Sequence, residues 1–163
     1  MTRADTPEML RVAQELAANF RRAAAGADAR HELSLSAVAD LKASGYPALT
    51  VPERLGGMGA TLRQFAEAQL LLGAADTSLA LIAAMNAHLL GAQGEAQRLG
   101  SEGRWPEALY AELAGASVRR GALSNSLASE PDLGSPSRGG LPATRADPLP
   151  GGGWQLRGRK SWS

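Results

Sequence analysis

Ser129-Glu130-Pro131-Asp132-Leu133-Gly134-Ser135 and Gly152-Gly153-Trp154-Gln155-Leu156-Arg157-Gly158-Arg159-Lys160-Ser161-Trp162-Ser163 mark where this 163-residue chain changes character. The first block is a polar turn closing on Gly-Ser, and the second is a glycine-rich turn leading into Gly-x-Lys-x-Trp. Helical periodicity is absent around them, while Gly, Pro and Ser are frequent, so strands joined by turns are expected. Residues 141–146 and 154–157 read as two strands joined through Pro150-Gly151-Gly152-Gly153, and residues 122–129 as a third. On composition alone these are ordinary strand and turn residues.

Upstream of Gly121 the chain reads as helical. Met9, Leu10, Ala13, Leu16, Ala17 and Phe20 share one face at helical spacing. Thr6-Pro7-Glu8 offers a hydroxyl cap, a proline at the first helical position and an acid, and Gly26 is expected to end this helix. Residues 36–44 predict a short helix with Val38 and Leu41 inward and Gly45 as its stop. Two prolines and three glycines within residues 46–59 forbid a continuous helix and predict an ordered loop. Thr61 caps a helix carrying Leu62, Phe65, Ala66 and Leu70, and Asp76-Thr77-Ser78 starts the next. Residues 79–90 are apolar nearly all round, which predicts the central, buried helix. Gly91, Gly94, Gly100 and Gly103 are expected to break the next segment into short pieces. A last helix opens at Pro106 with Leu109, Tyr110, Leu113 and Ala114 as its stripe.

Composition narrows the chemistry. Hydrophobic residues make up 44% and aromatics 4%, so the apolar content is mostly Ala and Leu, which favour helices. The absence of Cys excludes disulfides and thiolate chemistry. No apolar run approaches a membrane span, and a soluble cytoplasmic protein is expected. Residues 1–116 carry 10 basic and 13 acidic side chains, net −3, and residues 117–163 carry 7 and 3, net +4. The basic residues are spread out, as on a solvated surface, so no nucleic-acid partner is expected. Gly56-Gly57-Met58-Gly59 fails both the dinucleotide and the Walker templates. His31 and His88 lie far apart, so no metal site is expected, and His88 reads as a packing residue. There is no Gly-x-Ser-x-Gly elbow and no obvious carboxylate pair, and Glu130 beside Pro131 reads as structural.

Taken together, the blocks resemble the acyl-CoA dehydrogenase family. Its Thr-Glu-Pro-x-x-Gly-Ser segment is matched by 129–135, its Thr-x-Ala by Thr144-Arg145-Ala146, and its Gly-Gly-x-x-Leu-x-Gly-x-Lys-x-Trp by 152–162. Its Pro-Glu-x-x-Gly-Gly-x-Gly element is matched by Pro52-Glu53-Arg54-Leu55-Gly56-Gly57-Met58-Gly59. The departures are Ser129 for Thr, Pro136 where many dehydrogenases have Asp, and Ser163 for the usual Ile.

The resemblance implies a mainly α fold: an N-terminal helical bundle over residues 1–121, then the first strands of an incomplete middle β-barrel domain over 122–163. It implies FAD as cofactor, with Ser126, Leu127, Ala128, Ser129, Trp162 and Ser163 lining the flavin and Ser135 meeting the acyl-CoA thioester. The implied reaction is α,β-dehydrogenation of acyl-CoA thioesters, with an electron-transfer partner or oxygen as flavin oxidant and a homo-oligomeric assembly. In this family the catalytic carboxylate belongs to a C-terminal helical domain, so no catalytic residue is assigned here, and the chain is expected to be a truncated, inactive front portion. Related flavin-dependent monooxygenases share the fold and remain an alternative. A further one is a non-enzymatic helical interaction module with a basic tail.

Overall fold

The computed structural model describes residues 6–101, 103, 105–133 and 139–161. They divide into two compact units, one ending at Ser124 and one beginning at Asn125. The first holds five helices, α1 (Thr6–Arg30), α2 (Leu35–Ala43), α3 (Leu62–Gly73), α4 (Thr77–Arg98) and α5 (Glu107–Arg120), with short 3-10 turns at Tyr46–Ala48 and Glu53–Leu55. The second holds a two-stranded antiparallel hairpin, β1 (Arg145–Pro148) and β2 (Trp154–Arg157). The fold is mainly α with a small β element, as the sequence predicts.

Met9, Ala13, Leu16, Ala17 and Phe20 are buried along α1. α1 packs on α3, and α3 on α4. Contrary to expectation, Gly26 does not end α1. One glycine costs an Ala-rich helix only about 1 kcal/mol, and Ala27, two turns beyond the predicted face, is itself buried. The helix closes at His31, whose φ of 53° is left-handed. Its N–H bonds Asp28 O at 3.1 Å and Glu32 N–H bonds Ala27 O at 3.2 Å, the double bond pattern that usually calls for glycine. Ser34 caps α2 by accepting from Ala37 N–H, and Asp76 caps α4 by accepting from Leu79 N–H. Thr61 and Gln64 form a reciprocal capping box on α3.

The loop over residues 46–60 is ordered and central. Leu49 and Tyr46 enter one apolar cluster with Phe20, Leu41 and Leu72, while Ala48 and Val51 enter another with Leu90, Tyr110 and Ala114. Met58, Gly59 and Ala60 N–H groups bond back to Ala48, Val51 and Leu49 carbonyls at 3.1, 2.9 and 2.9 Å. At Gly57 a Cβ would lie 2.1 Å from Val51 O, so the element tolerates no side chain there.

α4 buries much of residues 79–90, as expected, but it runs past the glycines expected to break it. At Gly91 a Cβ would come within 3.0 Å of Thr50 Cβ, and at Gly94 within 2.8 Å of the Tyr110 hydroxyl. These glycines make room for neighbouring side chains and do not end the helix. Asn86, 1% exposed, donates to Pro47 O at 2.8 Å and accepts from Ser124 N–H at 2.9 Å. Leu81 and His88 are exposed, two turns apart on one strip, so His88 is not the packing residue expected. On α3 the buried residues are Ala68 and Leu72, with Phe65 half-buried and Leu62 and Leu70 exposed, because α1 takes the other side of the helix. On α5, Tyr110 and Ala114 are buried and Leu109 is exposed. The Tyr110 hydroxyl donates to Leu90 O at 2.9 Å, and burial pushes its pKa up to about 12.

Two strand expectations fail for the same reason: their backbone groups are bonded elsewhere. Residues 122–129 make no ladder. Ala122 N–H and O are taken by Ala116 O and the Ser117 hydroxyl, and Ser124 N–H by Asn86. Residues 141–144 are not strand either, since Ala143 and Thr144 donate to the Glu130 carboxylate, and β1 begins only at Arg145. β2 lies where expected, with Ala146 opposite Leu156 and Arg145 opposite Arg157.

Candidate functional site

The second unit contains the residues that the sequence singled out. Ser126, Leu127 and Ala128 form an exposed, extended run with no strand partner among the described residues. Ser129 is half-buried, and its carbonyl accepts from Ser161 N–H at 3.0 Å. Thus the structure brings the 126–129 run beside residues 160–161. Ser135, Trp162 and Ser163 lie outside the described residues.

Glu130 is the group that holds this arrangement. It is 6% exposed, and its carboxylate accepts from Ala143 N–H at 2.7 Å, Thr144 N–H at 3.0 Å and the Lys160 ammonium at 2.9 Å. The Thr144 hydroxyl beside it, then Lys160, then the two backbone donors favour the charged form and hold the carboxyl at about 2. Thr144 Oγ1 is buried yet has no hydrogen bond of ordinary geometry among the described residues, and the same is true of Ser161 Oγ. Sequence reading places Glu130 in a structural turn but misses Lys160 as its partner. The signal available is that Glu-Pro and Gly-x-Lys occupy fixed places in the same two blocks.

The first unit carries several hollows, among them one of about 620 Å³ lined by Ala27, His31, Ser34 and Asp76, and two beside α4. One, about 690 Å³, runs between the 50–60 loop and the C-terminal half of α4. Its charges are mixed: Arg54 bonds Gln97 and lies 3.9 Å from Glu107, and Arg98 pairs with Glu95 at 2.6 Å. The other, about 300 Å³ and more apolar, is lined by Leu62, Phe65, Ala87 and His88. Among the described residues no cluster of His, Asp and Glu could hold a metal ion, and no helix is long and apolar enough to cross a membrane.

Residues 5–114 match the family model for the acyl-CoA dehydrogenase N-terminal domain. A Bacillus subtilis (strain 168) protein named "Putative acyl-CoA dehydrogenase YdbM" is 32% identical over 148 residues, which cover 91% of this chain and 37% of that protein. Two solved structures share the fold at 23% identity. A nitrososynthase from Micromonospora carbonacea var. africana has a TM-score of 0.74 over 96% of this chain and 38% of its own. The methanesulfinate monooxygenase MsuC from Pseudomonas fluorescens has a TM-score of 0.67 over 93% and 35%. The chain therefore spans little more than a third of each of these relatives. With the capped helices, the glycine-tight loop and the family-model match over most of its length, this chain belongs to the acyl-CoA dehydrogenase family.

Proposed function

We propose that this chain is the front portion of an FAD-dependent oxidoreductase acting on acyl-CoA thioesters, with residues 1–121 as its N-terminal helical domain and 122–163 as the opening part of its middle β domain. The family match over residues 5–114 carries the reading. The residues present suit a flavin edge: Ser126, Leu127 and Ala128 are exposed, outside any ladder and free of bulky side chains other than Leu127. The Ser126 N–H is taken by Asn125 Oδ1 at 2.7 Å, but the Leu127 and Ala128 backbone groups could meet the polar rim of an isoalloxazine, while Ser129 would add a hydroxyl and Trp162 a flat apolar face. Bound FAD supplies hydride acceptance from the acyl β-carbon. Residues 126–129 would orient the ring, with Ser135 against the thioester, and none of the chain's residues is assigned the proton abstraction.

A second reading is a flavin-dependent monooxygenase, favoured by the fold likeness to the nitrososynthase and to MsuC. Oxygen then reoxidises the flavin, whereas a dehydrogenase passes electrons to a protein partner. Both readings carry a cytoplasmic homo-oligomer without nucleic acid. Anaerobic addition of acyl-CoA thioesters of graded chain length to the FAD-loaded protein separates them. Bleaching of the flavin supports the dehydrogenase. A flavin that ignores thioesters, but reacts with oxygen once reduced by a nicotinamide, supports the monooxygenase. The 163-residue chain alone offers three exposed residues and one half-buried one to the ring, so it should purify colourless and bind FAD no better than about millimolar.

A further inference from the structure

Most buried carboxylates sit in units with an apolar core around them, but Glu130 does not. In the unit from Asn125 onward, Leu141 is 90% exposed, Leu156 74% and Trp154 66%. Among the described residues of this unit apolar packing is therefore slight, with Leu133 half-buried. The buried group is instead a carboxylate, which ties its own turn to residues 143–144 and to Lys160.

The position of that carboxylate matters more than its strength. Ser129 precedes it and Ser161 follows its ammonium partner, and the Ser129 carbonyl and Ser161 N–H bond each other at 3.0 Å. Ser129, the end of the 126–129 stretch, and Ser161 thus leave the ion pair side by side. The knot is also close-packed. A Cβ at Gly158 would come within 2.2 Å of Thr144 Oγ1. A buried pair of this kind adds little net stability over apolar residues of the same volume, because desolvation offsets the attraction. It does fix which backbone group meets which, since losing one partner strands the other.

We propose that Glu130, through Lys160, is the positioning residue of the flavin-facing wall: it sets the register between Ser129 and Ser161, and so the spacing of the two stretches that would line the ring. The inference rests on the flavin reading of 126–129, and it does not require Glu130 to touch the cofactor. Glu130→Gln keeps the shape but turns an N–H toward donors, and Lys160→Met removes the partner.

The test uses the isotopically labelled 163-residue chain, with amide exchange read residue by residue and FAD added to millimolar levels. In the unaltered chain FAD should move the amides of 126–129. In either variant, exchange at Ser161 should quicken about tenfold and the FAD-dependent shifts at 126–129 should fall about fivefold, while the amides of α4 and α5 keep their protection. Glu130→Asp should recover part of both effects. Unchanged Ser161 exchange in both variants overturns the proposal. Faster exchange with undiminished FAD shifts also overturns it, by reducing Glu130 to a structural role. If FAD moves none of 126–129 in the unaltered chain, the positioning role is overturned before any variant is made, while the flavin reading is judged separately by the thioester experiment above.

Discussion

The helical unit and the unit from Asn125 onward are built on opposite terms. In the first, Phe20, Leu41, Leu49, Leu72 and Tyr110 are fully buried, and polar groups such as Asn86 enter only with their partners supplied. Among the described residues of the second, the large apolar side chains other than half-buried Leu133 face outward, and the most buried side chain is a carboxylate. Burial of apolar area fixes shape through many weak contacts, so that removing one leaves the rest in place. A single ionic knot fixes register through few contacts, and each of them is indispensable to it. The first strategy suits a scaffold, and the second suits segments whose relative spacing matters more than their stability.

The largest effect should come from the core. Phe20→Ala should cost the helical unit about 3–5 kcal/mol, read from the midpoint of urea unfolding followed by helical circular dichroism. A loss under about 1 kcal/mol would break the contrast, because the unit would then not depend on close packing. Next comes Asn86→Ala, which leaves Pro47 O and Ser124 N–H without their partner. A loss of about 2–3 kcal/mol is expected, from the same measurement. Thr61→Ala removes a capping box at an exposed helix end and should cost only about 1 kcal/mol. Its effect should be confined to early fraying of α3 in amide exchange.

The smallest change is a matter of pH and concerns Glu130. Its carboxyl is held at about 2 in the folded chain against an ordinary 4.5, with Lys160 as the charged group facing it. A depressed pKa contributes stability that is fully present above 4.5 and is lost as pH falls toward about 2. Protection of the Ala143, Thr144 and Ser161 amides should accordingly hold at neutral pH and disappear across that acid window. Loss near neutrality would mean that the carboxylate is not the group holding them.

Much of the helical unit is legible in the sequence. The caps at Thr61 and Asp76, the stop at Gly45 and the inward faces of α1 and α5 follow from local chemistry, which a sequence displays. Gly121 is the end of α5 as its position suggests, with φ of 57° and Lys42 O only 1.9 Å from where a Cβ would stand. Gly26, Gly91 and Gly94 look like breaks and are not. A glycine that ends a helix and one that admits a neighbouring side chain look alike until the neighbour is known. Residues 122–129 mislead for a related reason, since strand character needs a partner and theirs are side chains and helix ends. In the site, the turn at Glu130 is visible, but its bond to Lys160 spans 30 positions and no local pattern encodes it.

The close of α1 has a consequence for engineering. His31 occupies a left-handed backbone position that a side chain with a Cβ enters at a cost of roughly 1–2 kcal/mol, and the imidazole there is exposed. The natural sequence thus carries strain at a surface point where removing atoms relieves it. His31→Gly should raise the melting temperature slightly, with part of the gain offset by the freer unfolded chain. Such a site is a convenient reserve, because stability could be added there before riskier changes are attempted around the glycines that the tight loop cannot surrender.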